Sequence, residues 1–162
     1  MSPAKVNLDV LREADTFGGL PAADLQTLAV CLVPRRCAAG STLFREGDPG
    51  GALLILAEGE LEAVALRPGA APQVLNRMFP VEVVGEMAVL DPGPRSATVR
   101  AASDAVVYEL TSDALEVLRE RSPLAVDAIV QAAIRDVALR LRRLDERIER
   151  ELEVAAGLRE RP

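Results

Sequence analysis

The sequence predicts a mainly β protein, an antiparallel sandwich or barrel, with helices before and after the strands. From Pro34 onward, turn residues recur every several positions and separate short aliphatic runs, a pattern typical of antiparallel strands. Toward both ends of the chain, apolar residues are instead spaced three and four apart, as on one face of a helix. The 162 residues, 49% of them hydrophobic, suffice for one domain with a substantial core.

Two short helices are predicted before the first strand. Residues 6–13 carry apolar side chains at helical spacing, and the Gly18-Gly19 pair ends that pattern. Pro21 suits the first position of a second helix, since its missing N–H would have no partner there. The inward face of that second helix is predicted to be Leu25, Leu28 and Leu32.

The central part of the chain predicts a series of short strands. Turn signals such as Gly47-Asp48-Pro49-Gly50 and Pro68-Gly69 lie between them. The aliphatic runs that we assign to strands are residues 52–57, 61–66, 73–79, 81–84, 98–101 and 105–110.

Two helices are predicted after the last strand. Thr111-Ser112-Asp113 is a typical helix start, and Ser122-Pro123 opens a second helix with no breaking residue before Gly157. The second helix would extend about 50 Å, beyond what a small sandwich can cover. Its apolar residues alternate in steps of three and four, which favours a parallel coiled-coil homodimer over a monomer. The predicted seam is Val137, Leu141, Leu144, Ile148, Leu152 and Ala155.

The composition argues against an enzyme. The chain contains no histidine, which removes the commonest general base and metal ligand, so we expect no catalytic residue and no metal site. Cys31 and Cys37 match neither a redox nor a zinc spacing. We predict two free thiols, Cys31 buried on a helix and Cys37 at a strand edge.

Charge and hydropathy argue against contact with DNA or membranes. The net charge of −6 disfavours non-specific attraction to either surface. The arginines between positions 135 and 143 precede a run of glutamates, which predicts a solvated helix face rather than a nucleic-acid arm. No signal peptide and no apolar segment of membrane-spanning length are apparent, so we expect a cytoplasmic protein.

One stretch predicts a ligand site. Gly85-Glu86 opens a helical turn whose free N–H groups can receive an anion. Arg95 can add a two-pronged, charge-assisted contact to the same anion. Glu86 is better suited to accept hydrogen bonds from sugar hydroxyls. Together these residues suit a small phosphate ester that also carries hydroxyl groups.

The stretch resembles the phosphate-binding cassette of cyclic nucleotide-binding domains, from Gly85-Glu86 through a turn to Arg95-Ser96-Ala97-Thr98-Val99. Residues 43–61 look like the glycine-anchored block that precedes the cassette in this family, and residues 17–21 look like its helical lead-in. The resemblance implies a jelly-roll sandwich, with a lead-in over residues 1–33, a β-roll over 34–121 and a C-terminal helix over 122–162. It also implies a sensor of cyclic nucleotides rather than an enzyme.

The resemblance also implies the roles of the site residues. Glu86 would bind the ribose 2′-hydroxyl and Arg95 the cyclic phosphate, with backbone N–H groups completing the cradle. The ligand-binding residues would be Gly85, Glu86, Met87, Ala88, Arg95, Ser96 and Ala97. The resemblance favours cAMP as the ligand. It leaves cGMP open, because in this family a serine directly after the arginine accompanies either base. No cofactor beyond this ligand is implied.

The chain departs from the family pattern in places. Pro80-Val81-Glu82 replaces the usual Pro-Gly-Asp before the cassette. The candidates for a cap over the base are Ile129, Val130, Ala133 and Ile134, each of which suits plain core equally well. No DNA-binding domain follows before Pro162, so we expect no direct DNA binding. The alternatives are a fragment of a larger transcription regulator, or a dimerisation module whose pocket binds no nucleotide.

Overall fold

The protein is mainly β with flanking helices, as predicted. It is described here from a computed structural model that covers residues 5–87 and 93–159. The helices are α1 (Leu8–Glu13), α2 (Ala22–Cys31), α3 (Ser112–Arg121) and α4 (Pro123–Arg159). The strands are β1 (Val33–Cys37), β2 (Thr42–Phe44), β3 (Ala52–Glu58), β4 (Leu61–Ala65), β5 (Gln73–Met78), β6 (Val83–Val84), β7 (Thr98–Ala101) and β8 (Ala105–Thr111).

The strands form two four-stranded antiparallel sheets, in the orders β1-β8-β3-β6 and β2-β7-β4-β5. This arrangement confirms the predicted sandwich. Each of the six predicted runs contains a strand. Strands β1 and β2 were not among the predicted runs, although Cys37, the last residue of β1, was expected at a strand edge. Strand β1 is mostly polar and includes Pro34. That proline lies on an edge strand, where a missing N–H is tolerated.

Strand β3 is buried on both of its faces, which explains its continuous apolar run. Leu54 and Leu56 point into the core between the two sheets. Leu53 and Ile55 point the other way, into a second core that the sheet shares with the helices. Because side chains alternate along a strand, a sheet covered on both sides needs apolar residues at every position.

The helices pack on the outer face of the β1-β8-β3-β6 sheet. Phe17, Leu28 and Leu118 are fully buried there. Ser122 is also fully buried and joins two helices. Its hydroxyl donates to the Asp24 carboxylate of α2 at 2.6 Å, and the same oxygen accepts from the Ala125 N–H in the first turn of α4. This contact anchors the start of α4 to the domain.

Three local predictions needed correction. Helix α1 begins at Leu8, not at residue 6, because the Asn7 side chain accepts a hydrogen bond from the Asp9 N–H and caps the helix. Pro21 is the N-cap of α2 rather than its first residue, since its ψ of 148° is extended. Cys31 is only half-buried, whereas Cys37 is buried on an edge strand; both are free thiols.

Helix α4 continues well past the domain. At 37 residues it is about 55 Å long. Four apolar residues of the predicted seam, Leu141, Leu144, Ile148 and Leu152, are 46–64% exposed. Within residues 5–87 and 93–159, no helix has the length and apolarity needed to cross a bilayer.

Candidate functional site

The predicted cassette begins where β6 ends, at Gly85. The backbone of Gly85 has a φ of 80°, a conformation that favours glycine. A Cβ atom there would come within 2.6 Å of Nη1 of Arg95 and 3.3 Å of the Phe44 ring. Glycine is therefore required both by the turn and by the guanidinium that lies against it.

Arg95 is held in the cavity wall without a carboxylate partner among the described residues. Its guanidinium stacks 3.6 Å from the centroid of the Phe44 ring, and Nη2 donates a hydrogen bond to the Ala52 carbonyl. Its Nε is buried and has no hydrogen-bond partner in the described part of the chain. In that part Arg95 also forms no ion pair. A guanidinium with a buried, unpaired N–H is costly unless a ligand accepts from it.

Burial also affects the ionisation of this arginine. Desolvation lowers the pKa of Arg95, and the carboxylates of Glu109, Asp48 and Glu86 oppose that effect from a distance. Because an arginine stays charged in proteins, the site keeps its positive charge. Its favoured occupant is therefore an anionic group.

The backbone around Arg95 is fixed by the loop between β2 and β3. The Gly47 N–H donates to the Arg95 carbonyl and the Arg95 N–H donates to the Asp48 carbonyl, both at 2.9 Å. Pro49 and Pro94 form an antiparallel bridge beside them. These contacts set the position from which the arginine side chain reaches Gly85.

Glu86 is the second charged residue of the site and is only 3% exposed. Its Oε1 accepts a hydrogen bond of 2.8 Å from Nη2 of Arg140, on helix α4. The same Arg140 nitrogen lies 2.6 Å from the Asp136 carboxylate, one turn earlier on the helix. Burial raises the pKa of Glu86 to about 7; Arg140 opposes this shift and Asp136 adds to it.

These groups surround a cavity of about 440 Å³. Six of the predicted site residues line it, namely Gly85, Glu86, Met87, Arg95, Ser96 and Ala97. Ala88, the seventh, lies outside the described residues. The volume lies within the range typical of small-molecule sites.

The other walls of the cavity come from β5 and α4. Leu75 and Asn76 contribute from β5, and Asp136, Arg140 and Arg143 contribute from α4. None of these five residues was predicted as a site residue from the sequence. Positions 136, 140 and 143 share one helix face, but the sequence alone does not show that this face turns toward the cassette.

The residues considered as a cap over the base do not line the cavity. Ile129 is fully buried in the core between the sheet and the helices, and Val130 packs against that core. Ala133 is also fully buried. Ile134 is 49% exposed. The plain-core alternative is thus confirmed for the first three. Conversely, Arg140 and Arg143 are not merely part of a solvated face, because they line the cavity.

Comparisons with known proteins agree with this architecture. The family model described as a cyclic nucleotide-binding domain matches residues 34–122. A CRP-like cAMP-activated global transcriptional regulator from Mycobacterium tuberculosis is 28% identical over 140 residues, covering 86% of this chain and 61% of the regulator. A cGMP-dependent protein kinase of Caenorhabditis elegans is 31% identical over 113 residues, covering 70% of this chain and 14% of the kinase.

A solved structure extends the likeness to the fold. The N-terminal domain of a transcriptional regulator from Streptomyces coelicolor A3(2) superimposes with a TM-score of 0.68 at 31% identity, covering 86% of this chain and 95% of that domain. The chain spans less than two thirds of the length of both curated relatives. Since the family model covers more than half of the sequence, the chain belongs to the cyclic nucleotide-binding domain family.

Proposed function

We propose that this chain is a non-catalytic sensor module that binds a cyclic nucleotide, with cAMP as the preferred ligand. The observation that carries the proposal is the half-buried Arg95, whose buried Nε has no hydrogen-bond partner and which forms no ion pair among the described residues. It shares one cavity with the buried carboxyl of Glu86. A cation and a hydrogen-bond acceptor in one small cavity suit a ligand with a phosphate and a hydroxyl.

The two ends of the ligand are assigned by charge. The cyclic phosphate belongs at Arg95, because this side chain is cationic and its buried Nε has no partner among the described residues. The ribose 2′-hydroxyl belongs at Glu86, since a carboxylate accepts from a hydroxyl and repels a phosphate. The Ser96 hydroxyl lines the same cavity and can donate to a phosphate oxygen.

The preference for cAMP is argued from the relatives. The Mycobacterium tuberculosis relative is named as cAMP-activated, whereas the kinase relative is named as cGMP-dependent. Ser96 is compatible with either base. We favour cAMP because the bacterial regulator matches a larger share of this chain.

Binding would be transmitted through helix α4. Three of its side chains line the cavity, and the same helix continues into the exposed apolar seam. If the ligand binds more tightly when α4 is in one of two positions, ligand binding shifts the helix toward that position. Such a shift would change the arrangement of the seam residues. We also propose that the seam forms a homodimer, since exposed leucines at heptad spacing favour self-association. The cytoplasmic location expected from the sequence stays a prediction.

The whole protein's role depends on what α4 acts upon. A sensor fragment of a larger transcription regulator is the second candidate, and the observation that favours it is the 61% coverage of the bacterial relative. In both cases the ligand-binding step is the same.

Calorimetric titration with cAMP and with cGMP tests the proposal. The protein is first unfolded, freed of carried-over ligand and refolded, so that the cavity is empty at the start. We expect micromolar or tighter binding of cAMP and weaker binding of cGMP. Tighter binding of cGMP would correct the base preference alone. Absence of heat with both, from protein shown to be folded, would refute a nucleotide sensor and favour a dimerisation module.

A further inference from the structure

Helix α4 brings two oppositely charged side chains to the buried Glu86. Arg140 donates to Oε1 of Glu86 at 2.8 Å, and Asp136 lies 2.6 Å from the same Arg140 nitrogen. The two helix residues are four positions apart, so they stack on one face of α4. Glu86 and both helix residues line the same cavity.

These neighbours act on Glu86 in opposite directions. The guanidinium of Arg140 favours the ionised carboxylate, while the carboxylate of Asp136 favours the protonated form. Burial already disfavours the charge. The outcome is a pKa of about 7 for Glu86, so its ionisation is balanced near neutral pH and sensitive to either neighbour.

The charge of Glu86 decides how well it receives a ribose. An ionised carboxylate accepts a charge-assisted hydrogen bond from a hydroxyl, about twice as strong as the bond to a neutral group. Arg140 occupies Oε1, and the carboxylate has further lone pairs for a hydroxyl. Keeping Glu86 ionised therefore strengthens recognition of the 2′-hydroxyl without requiring Arg140 to leave.

We propose that Arg140 and Asp136 are positioning residues for the ribose, an inference that rests on the proposed function. From helix α4 these two residues set the charge of Glu86, and thereby the preference of the site for a 2′-hydroxyl. Neither residue needs to contact the ligand. Because both lie on α4, the position of this helix determines how well the cassette binds ribose.

The remaining charged groups around Glu86 are common to all the variants below. Arg95 and Arg143 line the same cavity, the latter from α4. Glu82, in the turn before β6, is affected by Asp136 and Arg143, and burial raises its pKa. Substituting Arg140 or Asp136 removes none of these three groups. Glu82 does not line the cavity, so a change in the preference for a 2′-hydroxyl is assigned to Glu86.

The experiment compares cAMP with 2′-deoxy-cAMP by calorimetry at several pH values on both sides of neutrality. The proteins are wild type, Arg140→Gln, Asp136→Asn, Glu86→Gln and a control, Arg147→Gln. Arg147 lies on the same helix and pairs with Glu151 at 2.9 Å in the same four-residue spacing, but both side chains are mostly exposed. The readout is the affinity ratio of the ribo to the deoxy ligand.

In wild type, the ratio should fall as pH decreases through neutrality and Glu86 becomes protonated. Arg140→Gln should move the midpoint of that fall to higher pH and lower the ratio at neutral pH by roughly tenfold. Asp136→Asn should move the midpoint to lower pH. Arg147→Gln should match wild type, and Glu86→Gln should show a small ratio that does not vary with pH.

Shifts of opposite sign distinguish this account from a structural role, since mere loss of packing would not move the midpoint in two directions. If Arg140→Gln does not fold, the sign of the shift in Asp136→Asn alone decides. An unmoved midpoint, or shifts of the same sign, would overturn the inference and leave the proposed function intact. Failure of wild type to bind either cyclic nucleotide would instead overturn the proposed function itself.

Discussion

At the scale of single residues, the site depends on the close contact between Gly85 and Arg95. The guanidinium occupies the space where a side chain of residue 85 would stand. That space exists only because residue 85 has no Cβ. Among the described residues, the cation is thus positioned by a glycine and not by a carboxylate, which leaves the Nε of Arg95 available for a ligand.

Gly85→Ala should displace the arginine as well as strain the turn. A matched control is Gly69→Ala, because Gly69 also has a positive φ (75°) but has open space around it. Both substitutions should lower the free energy of unfolding by about 1–2 kcal/mol through backbone strain. Only Gly85→Ala should also weaken cAMP binding, as measured by calorimetry; equal affinities in the two variants would contradict this role of Gly85.

The ionisation of Glu86 should make stability depend on pH. Its pKa is raised from 4.5 to about 7 in the folded protein, so between these values the folded state binds more protons than the unfolded state. The contribution of Glu86 to the free energy of unfolding should therefore be greatest below pH 4.5. This contribution should fall as the pH rises to about 7. The full effect is on the order of 3 kcal/mol.

Urea unfolding of wild type and Glu86→Gln at several pH values measures this contribution. The glutamine variant, which does not titrate at this position, should lose most of the decline between mildly acidic and neutral pH. Glu82, whose pKa burial also raises, contributes with the same sign and remains in both proteins. Identical pH profiles for the two proteins would show that Glu86 titrates normally.

At the scale of elements, the turn before the cassette tolerates a residue that its backbone does not favour. Val81 has a φ of 72°, which is rare for a β-branched residue. Its N–H donates to the Leu56 carbonyl at 2.8 Å, and the Leu56 N–H donates to the Glu82 carbonyl at 3.0 Å. These bonds to β3 hold the turn in the left-handed conformation that the usual glycine would adopt freely.

Val81→Gly should therefore destabilise the protein less than Val83→Gly on β6. Both valines are partly buried against the same core, so each substitution loses apolar contact. At position 81 the relief of backbone strain offsets about 1–2 kcal/mol of that loss, whereas a glycine inside a strand adds a further cost. Denaturant unfolding of the two variants tests this, and a Val81→Gly variant no more stable than Val83→Gly would contradict it.

The elements also show how far the sequence could predict this structure. Aliphatic runs between turn residues located six strands, and the Gly85–Arg95 spacing located the cassette. The polar strand β1 was not among the predicted runs, because it is a strand through its pairing with β8 and not through its own hydropathy pattern. Asp136 and Arg140 were not predicted as site residues, because tertiary packing determines which face of α4 lies against the cassette. That packing involves residues such as Ile129 and Ser122, and a local sequence pattern does not show it.

At the scale of the whole molecule, α4 joins two separable parts. Its first half packs on the domain and lines the cavity as far as Arg143. Its second half carries the exposed seam from Leu144 to Leu152. Ligand binding and self-association should therefore respond to different substitutions.

Ending the chain after Leu144 should weaken dimerisation and leave cAMP affinity unchanged, because every described residue of the cavity is retained. Analytical ultracentrifugation and calorimetry on the same samples measure the two properties. Two substitutions in the untruncated chain refine the test. Ile148→Glu, within the seam, should disrupt the dimer, while Val154→Glu, at a more exposed position off the seam, should not. Loss of ligand binding together with dimerisation on truncation would contradict the separation.

The most direct test of the central claim is calorimetric titration of cAMP into ligand-free wild type and Arg95→Ala, with Arg77→Ala as a control at an exposed arginine of β5. We predict that wild type and Arg77→Ala bind alike, and that Arg95→Ala binds roughly 30-fold to 3,000-fold more weakly, the usual effect of removing a buried charged partner. Affinity in Arg95→Ala equal to that of wild type would show that this arginine does not hold the phosphate.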